Sequence, residues 1–304
     1  MAERRRVLET SEGTSSHFGP VEWGLLAITS ITWGSSYLWI ALGLESFAPG
    51  LIAWLRLAFG AGTLALITRK HTVIDRHDWG VITLIAIVGN AGPALLFAMA
   101  EQTLESSVVG MLTAAVPLAT LVVAIVLGNR SMRLVHAVGL ILGLSGVLML
   151  SVDNVVGANT GVAGIGYTLL AVFGYALTAN VIGPVVQRYG AVAVILRAQA
   201  LSVLMLTPFG LFALDDSSFS WRSFIAIAVL GVLGTGMARS VQAALVARAG
   251  APRSSVVGYL VPVVAAILGL VFLSETMSAA ELGGLAVITV GAFLGTRKVR
   301  ATSD

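Results

Sequence analysis

The chain contains no cysteine and few charged residues. Of its 304 residues, none is cysteine and only 11% are Asp, Glu, Lys or Arg. The lack of cysteine excludes disulfide bonds, thiolate nucleophiles and cysteine-based metal sites. Nor does the sequence contain a Gly-x-x-x-x-Gly-Lys-Ser/Thr loop, which excludes ATP drive from this polypeptide. The four histidines are His17, His71, His77 and His136, and they show no ligand spacing. We therefore expect no metal site, no cofactor and no catalytic residue.

What the chain has in excess is apolar residues. They make up 57% of the sequence, the mean hydropathy is +0.93, and the charged fraction is far below the roughly one quarter of soluble domains. The 34 glycines suit close packing of helices in lipid. The first apolar stretch, from Gly24, lacks a clear cleavage site, so we interpret it as a retained helix rather than a signal peptide.

The sequence also contains an internal repeat. Five apolar stretches in residues 22–151 return in the same order in residues 162–297. The separation between partners drifts only from about 141 to about 148 residues, which indicates duplication. Because five is odd, the second copy should enter the membrane from the opposite side, and such inverted repeats are typical of secondary transporters. The matching segments include Leu55-Arg56 with Leu196-Arg197, Trp79 with Trp221, and residues 106–110 with 254–258.

Ten apolar runs have the roughly 18–24 residues that a helix needs to cross a hydrocarbon core of about 30 Å. If the N-terminus is cytoplasmic, fourteen Lys and Arg residues fall in cytoplasmic segments, only Arg222 falls in an external loop, and three fall within spans. This distribution follows the positive-inside rule. We therefore predict an all-α integral membrane protein of ten transmembrane helices in two inverted five-helix repeats. The predicted spans are 22–44, 50–68, 79–100, 106–128, 132–151, 162–184, 190–213, 223–246, 253–274 and 279–297.

The predicted organisation has no room for a separate soluble domain, because every connection is short. We predict a cytoplasmic N-terminal tail (1–21), a first repeat (22–151), a second repeat (162–297) and a cytoplasmic C-terminal tail (298–304). The expected partners are the lipid bilayer and a small-molecule substrate, and not nucleic acid. The glycine-rich faces of predicted helices 5 and 10 fit either internal packing, which we favour, or a homodimer interface.

Several short motifs resemble the EamA-type transporters of the drug/metabolite transporter superfamily. They are residues 31–37 (Ile-Thr-Trp-Gly-Ser-Ser-Tyr), Arg56 within residues 54–58, and the proline-centred stretches around Pro117 and Pro262. The family's usual acidic residue after the fourth helix is Asn129 in the first copy and Glu275 in the second. The resemblance implies a bacterial-type inner-membrane transporter with a central cavity lined by helices 1, 3, 4, 6, 8 and 9.

Polar residues inside spans are costly in hydrocarbon, so each is a candidate site residue. Arg239 and Gln242 share one face of helix 8 with Thr235, and a guanidinium suits a substrate carboxylate or phosphate. Alternatively, Arg239 bonds backbone carbonyls or extends toward the cytoplasm. Asn90 on helix 3 fits either a cavity hydrogen bond or an interhelical one. Asn180 on helix 6 completes the polar candidates.

Aromatic and proline residues supply the other candidates. The aromatic ones would form an apolar wall for a ligand, although core packing explains them equally well: Trp33, Tyr37, Phe97, Phe173, Tyr175 and Tyr259. Prolines in corresponding helices are candidate hinges, because paired interruptions often mark the site of an inverted-repeat transporter: Pro93, Pro117 and Pro262. The spacing of the two copies pairs Asn90 with Val232 and Arg239 with Phe97.

Other charged residues are assigned to the membrane surface. Arg56 and Arg197 lie near the ends of their spans, so we expect headgroup contacts, and we expect Glu101 in a solvated external loop. No Asp, Glu or His falls near the middle of any predicted span, which disfavours proton coupling.

These features lead to a hypothesis for function. We expect a secondary transporter that exports small metabolites by alternating access, with amino acids or similar amphipathic solutes as substrates. An alternative is transport of drugs or of phosphorylated or nucleotide-type metabolites, against which a single deep arginine argues. A non-transporting receptor or scaffold is the alternative of another class. An enzyme is not expected, because neither metal ligands nor a nucleophile with a base is evident.

Overall fold

The computed structural model describes residues 19–68, 72–128, 134–156, 160–249 and 256–296. Within these ranges the chain is helical and contains no strand. Most of the predicted tails (1–21 and 298–304), and Asn129 of the motif, lie outside the described residues. The helices are α1 (Pro20–Leu44), α2 (Pro49–Ile67), α3 (Arg76–Ala100), α4 (Ser106–Val126), α5 (Leu134–Val156), α6 (Thr160–Val181), α7 (Ala191–Phe212), α8 (Trp221–Val229, Leu230–Met237 and Ala238–Ala249), α9 (Val257–Phe272) and α10 (Ala279–Thr296), with a short helix Gly183–Tyr189 before α7.

The described helices are those of an integral membrane protein. Seven of them, α1–α4 and α6–α8, are long and apolar enough to cross a membrane, and α5, α9 and α10 contain shorter apolar helices. Large apolar side chains cover the outside of the bundle, for example Leu66, Phe212 and Val271. A surface of this kind is suited to lipid rather than to water.

Contacts between helix ends separate the two ends of the bundle. Glu22 at the start of α1 pairs with Arg248 at the end of α8, with 2.7 Å between Oε1 and Nε. Glu45 after α1 pairs with Arg222 at the start of α8, at 3.0 Å. Helices α1 and α8 are therefore antiparallel. We call the end that carries the Glu22–Arg248 pair the termini face and the end that carries the Glu45–Arg222 pair the far face.

Helices α3 and α8 each change from α to π geometry near their middle. The π segments are Ile85–Ala91 in α3 and Leu230–Met237 in α8. When α3 and α8 are aligned on these segments, Gly89-Asn90 corresponds to Gly234-Thr235, and Asn90 is paired with Thr235 rather than with Val232. The extra residue of each π segment shifts the register relative to the preceding part of the helix. Segments of this type are frequent at functional sites.

Side chains from α7 hydrogen bond to carbonyl groups in these π segments. Ser202 Oγ donates to the carbonyl oxygen of Ala86 at 2.8 Å. Gln199 Nε2 donates to the carbonyl oxygen of Thr235 at 3.2 Å. Because buried backbone groups need hydrogen-bond partners in lipid, these contacts stabilise the non-α geometry. They also attach α7 to both halves of the chain.

The glycines of α5 and α10 pack the two helices backbone to backbone. A β-carbon on Gly146 would lie 2.7 Å from the carbonyl oxygen of Gly284, and one on Gly284 would lie 2.9 Å from that of Gly146. These distances leave no space for a larger side chain. The contact lies within one chain, as favoured from the sequence, and joins the two halves of the protein.

The prolines occur at different kinds of position. Pro117 is the second residue of an α segment that follows a 3-10 turn, Thr113–Ala115, and Pro93 is the second residue after the π segment of α3. A proline fits there because the first turn of a helix lacks partners for its N–H groups. Helix α9 continues through Pro262. The predicted interruption therefore occurs at Pro93 and Pro117 but does not end α9, since a helix can accommodate proline by bending.

Candidate substrate site

Arg239 of α8 and Asn90 of α3 form the polar centre of the interior. Nη2 of Arg239 donates to Oδ1 of Asn90 at 3.0 Å. Asn90 is 4% exposed, and its Nδ2 has no hydrogen-bond partner among the described residues. No ion pair between described residues includes Arg239. A partly buried guanidinium without a carboxylate is an arrangement that can receive an anionic group of a ligand.

Arg56 of α2 is a second cation in this region and is buried, with 9% exposure. Its Nε donates to Oγ1 of Thr235 at 3.0 Å, one turn before Arg239 on α8. The charges of the two arginines are close enough to repel each other. The expectation of headgroup contact is therefore wrong for Arg56, because α2 packs it against the π segment of α8.

The repeat partner of Arg56 has a different environment. Arg197 of α7 donates from Nη1 to the carbonyl oxygen of Ala193 at 3.0 Å, and from Nη2 to the carbonyl oxygen of Thr72 before α3. Its charge is thus held by backbone carbonyls near the termini face. Equal sequence positions in the two copies have different structural roles.

Three aromatic residues form a wall beside the arginines. The rings of Tyr37 and Phe97 meet edge to face at 5.7 Å between centroids, and Phe97 and Tyr175 lie at 5.8 Å. Phe97 is 2% exposed. Tyr175 is close enough to Arg239 to interact electrostatically. The structure thus brings five predicted site residues into one region: Arg239, Asn90, Tyr37, Phe97 and Tyr175.

Gln242 lies one turn beyond Arg239 on α8. Its Oε1 atom is buried and accepts no hydrogen bond from a described residue. The predicted face of Thr235, Arg239 and Gln242 is therefore present, but its members differ in use. Thr235 holds Arg56, Arg239 holds Asn90, and Gln242 keeps an unsatisfied acceptor.

Two other predicted residues use their polar groups to join helices. Asn180 Nδ2 donates to the carbonyl oxygens of Thr120 at 3.1 Å and Ala176 at 2.9 Å, which links α6 to α4. Trp33 Nε1 donates to the carbonyl oxygen of Gly234 at 3.1 Å, which links α1 to the π segment of α8. Both side chains therefore make hydrogen bonds between helices.

The two remaining aromatic candidates, Phe173 and Tyr259, are more exposed than Phe97. Phe173 is 50% exposed on α6, and its role as a lining residue stays a prediction. It is two positions from Tyr175, which the turn of the helix places on a different side. Tyr259 is partly buried in the first turn of α9.

Glu101 follows α3 at the far face and is not solvated as expected. Both carboxylate oxygens are buried and accept no hydrogen bond from a described residue. Gln102 and Thr103 are exposed, but Leu104 is buried at 6% exposure and packs where Gly164 of α6 leaves space for it, so the chain after Glu101 returns to the bundle. Burial, and secondarily the charge of Glu275, raise the pKa of Glu101 well above its usual range.

Arg56 is the site residue that was missed from the sequence. A signal was present on α2, where Arg56, Gly60 and Thr63 share one face. Gly60 packs against Thr235, and a β-carbon there would lie 2.8 Å from its Cγ2 atom. A small residue one turn after an arginine marks a close helix approach, which indicates that this face is internal.

Comparison with known proteins matches the EamA-like transporter family to residues 22–152 and 162–297. The uncharacterized inner membrane transporter YedA of Escherichia coli strain K12 is 29% identical over 90% of both chains. A WAT1-related chloroplastic protein of Arabidopsis thaliana is 28% identical over 95% of this chain and 71% of its own. A solved structure, titled only as the crystal structure of a protein, superimposes with a TM-score of 0.60 at 18% identity, covering 90% of this chain and 96% of its own.

Proposed function

The chain belongs to the EamA-like transporter family, and on this premise we propose that it is a secondary transporter that exports small amphipathic metabolites by alternating access. In this proposal ten spans form two inverted repeats around a central cavity, with both termini in the cytoplasm and the protein in the inner membrane. The antiparallel contact of α1 and α8 supports an inverted relation between the halves. The inner-membrane name of YedA supports the location.

The proposed substrates are amino acids and similar solutes that carry a carboxylate and an apolar or aromatic group. The observation that carries this proposal is the hydrogen bond of 3.0 Å between Arg239 and Asn90, with no acidic partner for Arg239 among the described residues. A substrate carboxylate would supply the missing negative charge. The side chain of the substrate would contact the wall of Tyr37, Phe97 and Tyr175.

Transport of phosphorylated metabolites is a second candidate, supported by Arg56. Only one deep arginine was expected from the sequence, whereas Arg56 supplies a buried cation close to Arg239. A group with two negative charges is better held by two cations than by one. The two candidates differ in how much the transported molecule needs Arg56.

Efflux from proteoliposomes tests both candidates. Liposomes with the purified protein are loaded with a mixture of amino acids, aromatic carboxylates, sugar phosphates and nucleotides, and release is followed by mass spectrometry. We expect release of carboxylates that falls at least about tenfold in Arg239→Gln and is unchanged in Arg222→Gln, a surface arginine. Selective release of phosphate esters that also requires Arg56 would favour the second candidate. Absence of any protein-dependent release contradicts the proposal.

A further inference from the structure

At the far face, Glu275 joins the chain after α9 to the start of α4. Its Oε1 accepts the backbone N–H of Ser106 at 2.8 Å, and its Oε2 accepts that of Ser107 at 3.0 Å. Gly269 of α9 leaves the space for this carboxylate, since a β-carbon there would overlap Oε2. The first N–H groups of a helix lack partners within the helix, so Glu275 satisfies them and holds the two helices together.

Glu101 is a second carboxylate in the same region, and its environment is the opposite. It is enclosed but accepts no hydrogen bond within the described part of the chain. The groups that act on it electrostatically are Glu275 after α9, Arg56 from α2 and Tyr37 from α1. Arg56 is attractive, but it uses its Nε on Thr235 and forms no ion pair with Glu101.

An ionised Glu101 would therefore be unstable in this arrangement. A buried carboxylate without donors loses its hydration and gains nothing equivalent, and the neighbouring negative charge of Glu275 adds repulsion. A neutral carboxyl group avoids both costs. The raised pKa of Glu101 expresses the same balance.

We propose that Glu101 is a proton-binding site, and that closure of the far face requires its protonation. The proton is taken from water at the far face as Glu101 becomes buried. It returns to water when the far face opens and the carboxylate is hydrated. In this step an O–H bond of a hydronium ion at the far face breaks as the carboxyl O–H bond forms, and the reverse exchange regenerates hydronium when the far face opens. Proton binding thus occurs at the end of α3 and not in the middle of a predicted span.

The pH dependence follows from the difference between the two states. The closed state binds the proton more tightly, so it is favoured at low pH. Between the ordinary pKa of a hydrated glutamate and the raised pKa of Glu101 in the closed state, each rise of one pH unit lowers the ratio of closed to open protein about tenfold. Below that window Glu101 is protonated in both states, and pH has no effect through this group.

Infrared spectroscopy of the full-length protein tests the protonation directly. We expect the carbonyl band of a protonated carboxylic acid at neutral pH, lost in Glu101→Gln and kept in Glu45→Gln, which changes an exposed carboxylate at the same face. A wild-type spectrum without a band assigned to Glu101 overturns the proposal. This measurement does not need a known substrate, so its failure leaves the proposed transport function intact.

Cysteine labelling tests the coupling to closure, and the cysteine-free chain provides a clean background. Ser107→Cys places a reporter at a position with 0% exposure beside Glu275. Its labelling by an impermeant maleimide is divided by that of an exposed Asp216→Cys reporter, which corrects for the reactivity of the thiol. We expect the ratio to rise up to about tenfold per pH unit within the window, and to stay low in Glu101→Gln. A flat ratio while Glu101 is present overturns the proposal, whether or not Glu101→Gln folds. A rise that persists in folded Glu101→Gln also overturns it.

Discussion

Asn90 and Thr235 occupy equivalent places in the two π segments, and each holds an arginine from the other half of the chain. Asn90 accepts a hydrogen bond from Arg239, and Thr235 accepts one from Arg56, both at 3.0 Å. At the centre of the protein, each half therefore contributes an arginine that is bound by a residue of the other half. This crossed arrangement places two cations together and makes each depend on the opposite half.

The Arg239–Asn90 contact is expected to control substrate affinity. Asn90→Asp would give Arg239 a permanent negative partner, with which a substrate anion must compete. We expect the KM for efflux of an anionic substrate from proteoliposomes to rise about tenfold or more, while the thermal stability is kept. Gln102→Glu in the exposed far-face loop serves as the control. An unchanged KM in Asn90→Asp contradicts this role.

Two ion pairs at opposite faces should differ in their contribution to stability. Asp78 has a side-chain exposure of 9%, pairs with Arg188 and accepts the hydroxyl of Tyr189 at 2.7 Å, whereas Glu45 is 43% exposed beside Arg222. We expect Asp78→Asn to cost about 1.5–3 kcal/mol, as for a hydrogen bond to a charged group. Glu45→Gln should cost less than about 1 kcal/mol. Thermal unfolding in detergent measures both, and equal shifts in Tm would show that burial does not separate them.

The glycine contact between α5 and α10 should tolerate no side chain. Gly146→Leu would force the backbones apart and is expected to cost about 3 kcal/mol or more. Gly62 of α2 is exposed, with nothing within 4 Å of a β-carbon, so Gly62→Leu should leave Tm nearly unchanged. Size-exclusion profiles and Tm values compare the two variants. A stable, monodisperse Gly146→Leu protein contradicts the described packing.

Phe97 and Phe173 provide a matched comparison of inward and outward aromatic residues. Phe97 is 2% exposed between two tyrosines, and Phe173 is 50% exposed on α6. We expect Phe97→Ala to destabilise the protein by about 3–5 kcal/mol and to reduce efflux. Phe173→Ala should change neither Tm nor efflux appreciably. The opposite order of effects would place the aromatic wall on a different side of α6.

The membrane-helical fold and part of the site could be predicted from the sequence because polar residues are rare in apolar spans. Arg239 and Asn90 stand out in such surroundings. Polar side chains within spans usually face the interior of the bundle, and the two helices bring these side chains together there. Seven of the predicted apolar runs coincide with described helices that are long and apolar enough to cross a membrane, and the other three coincide with shorter apolar helices. Chemistry that is costly in lipid is therefore visible in a single sequence.

The rest of the site depends on packing that local sequence does not encode. Arg56 and Arg197 have equivalent positions, yet only Arg56 meets a π segment, through the close approach at Gly60. The burial of Glu101 depends on how Leu104 packs on α6. The α segment before the π segment has six residues in α3 and nine in α8. The spacing from Trp79 and Trp221 therefore pairs Asn90 with Val232, whereas alignment on the π segments pairs it with Thr235.

Ligand-dependent thermal stabilisation of the purified protein tests the central claim most directly, namely that Arg239 holds the anionic group of the substrate. The protein is screened against amino acids, aromatic carboxylates and phosphate esters, and the shift in Tm is measured for wild type, Arg239→Gln and Arg222→Gln. A ligand at about 100 times its Kd stabilises the folded state by about 2.7 kcal/mol. The predicted result is an anionic ligand whose stabilisation is kept in Arg222→Gln and lost in Arg239→Gln. Equal stabilisation of all three proteins by every anionic ligand that binds would contradict it.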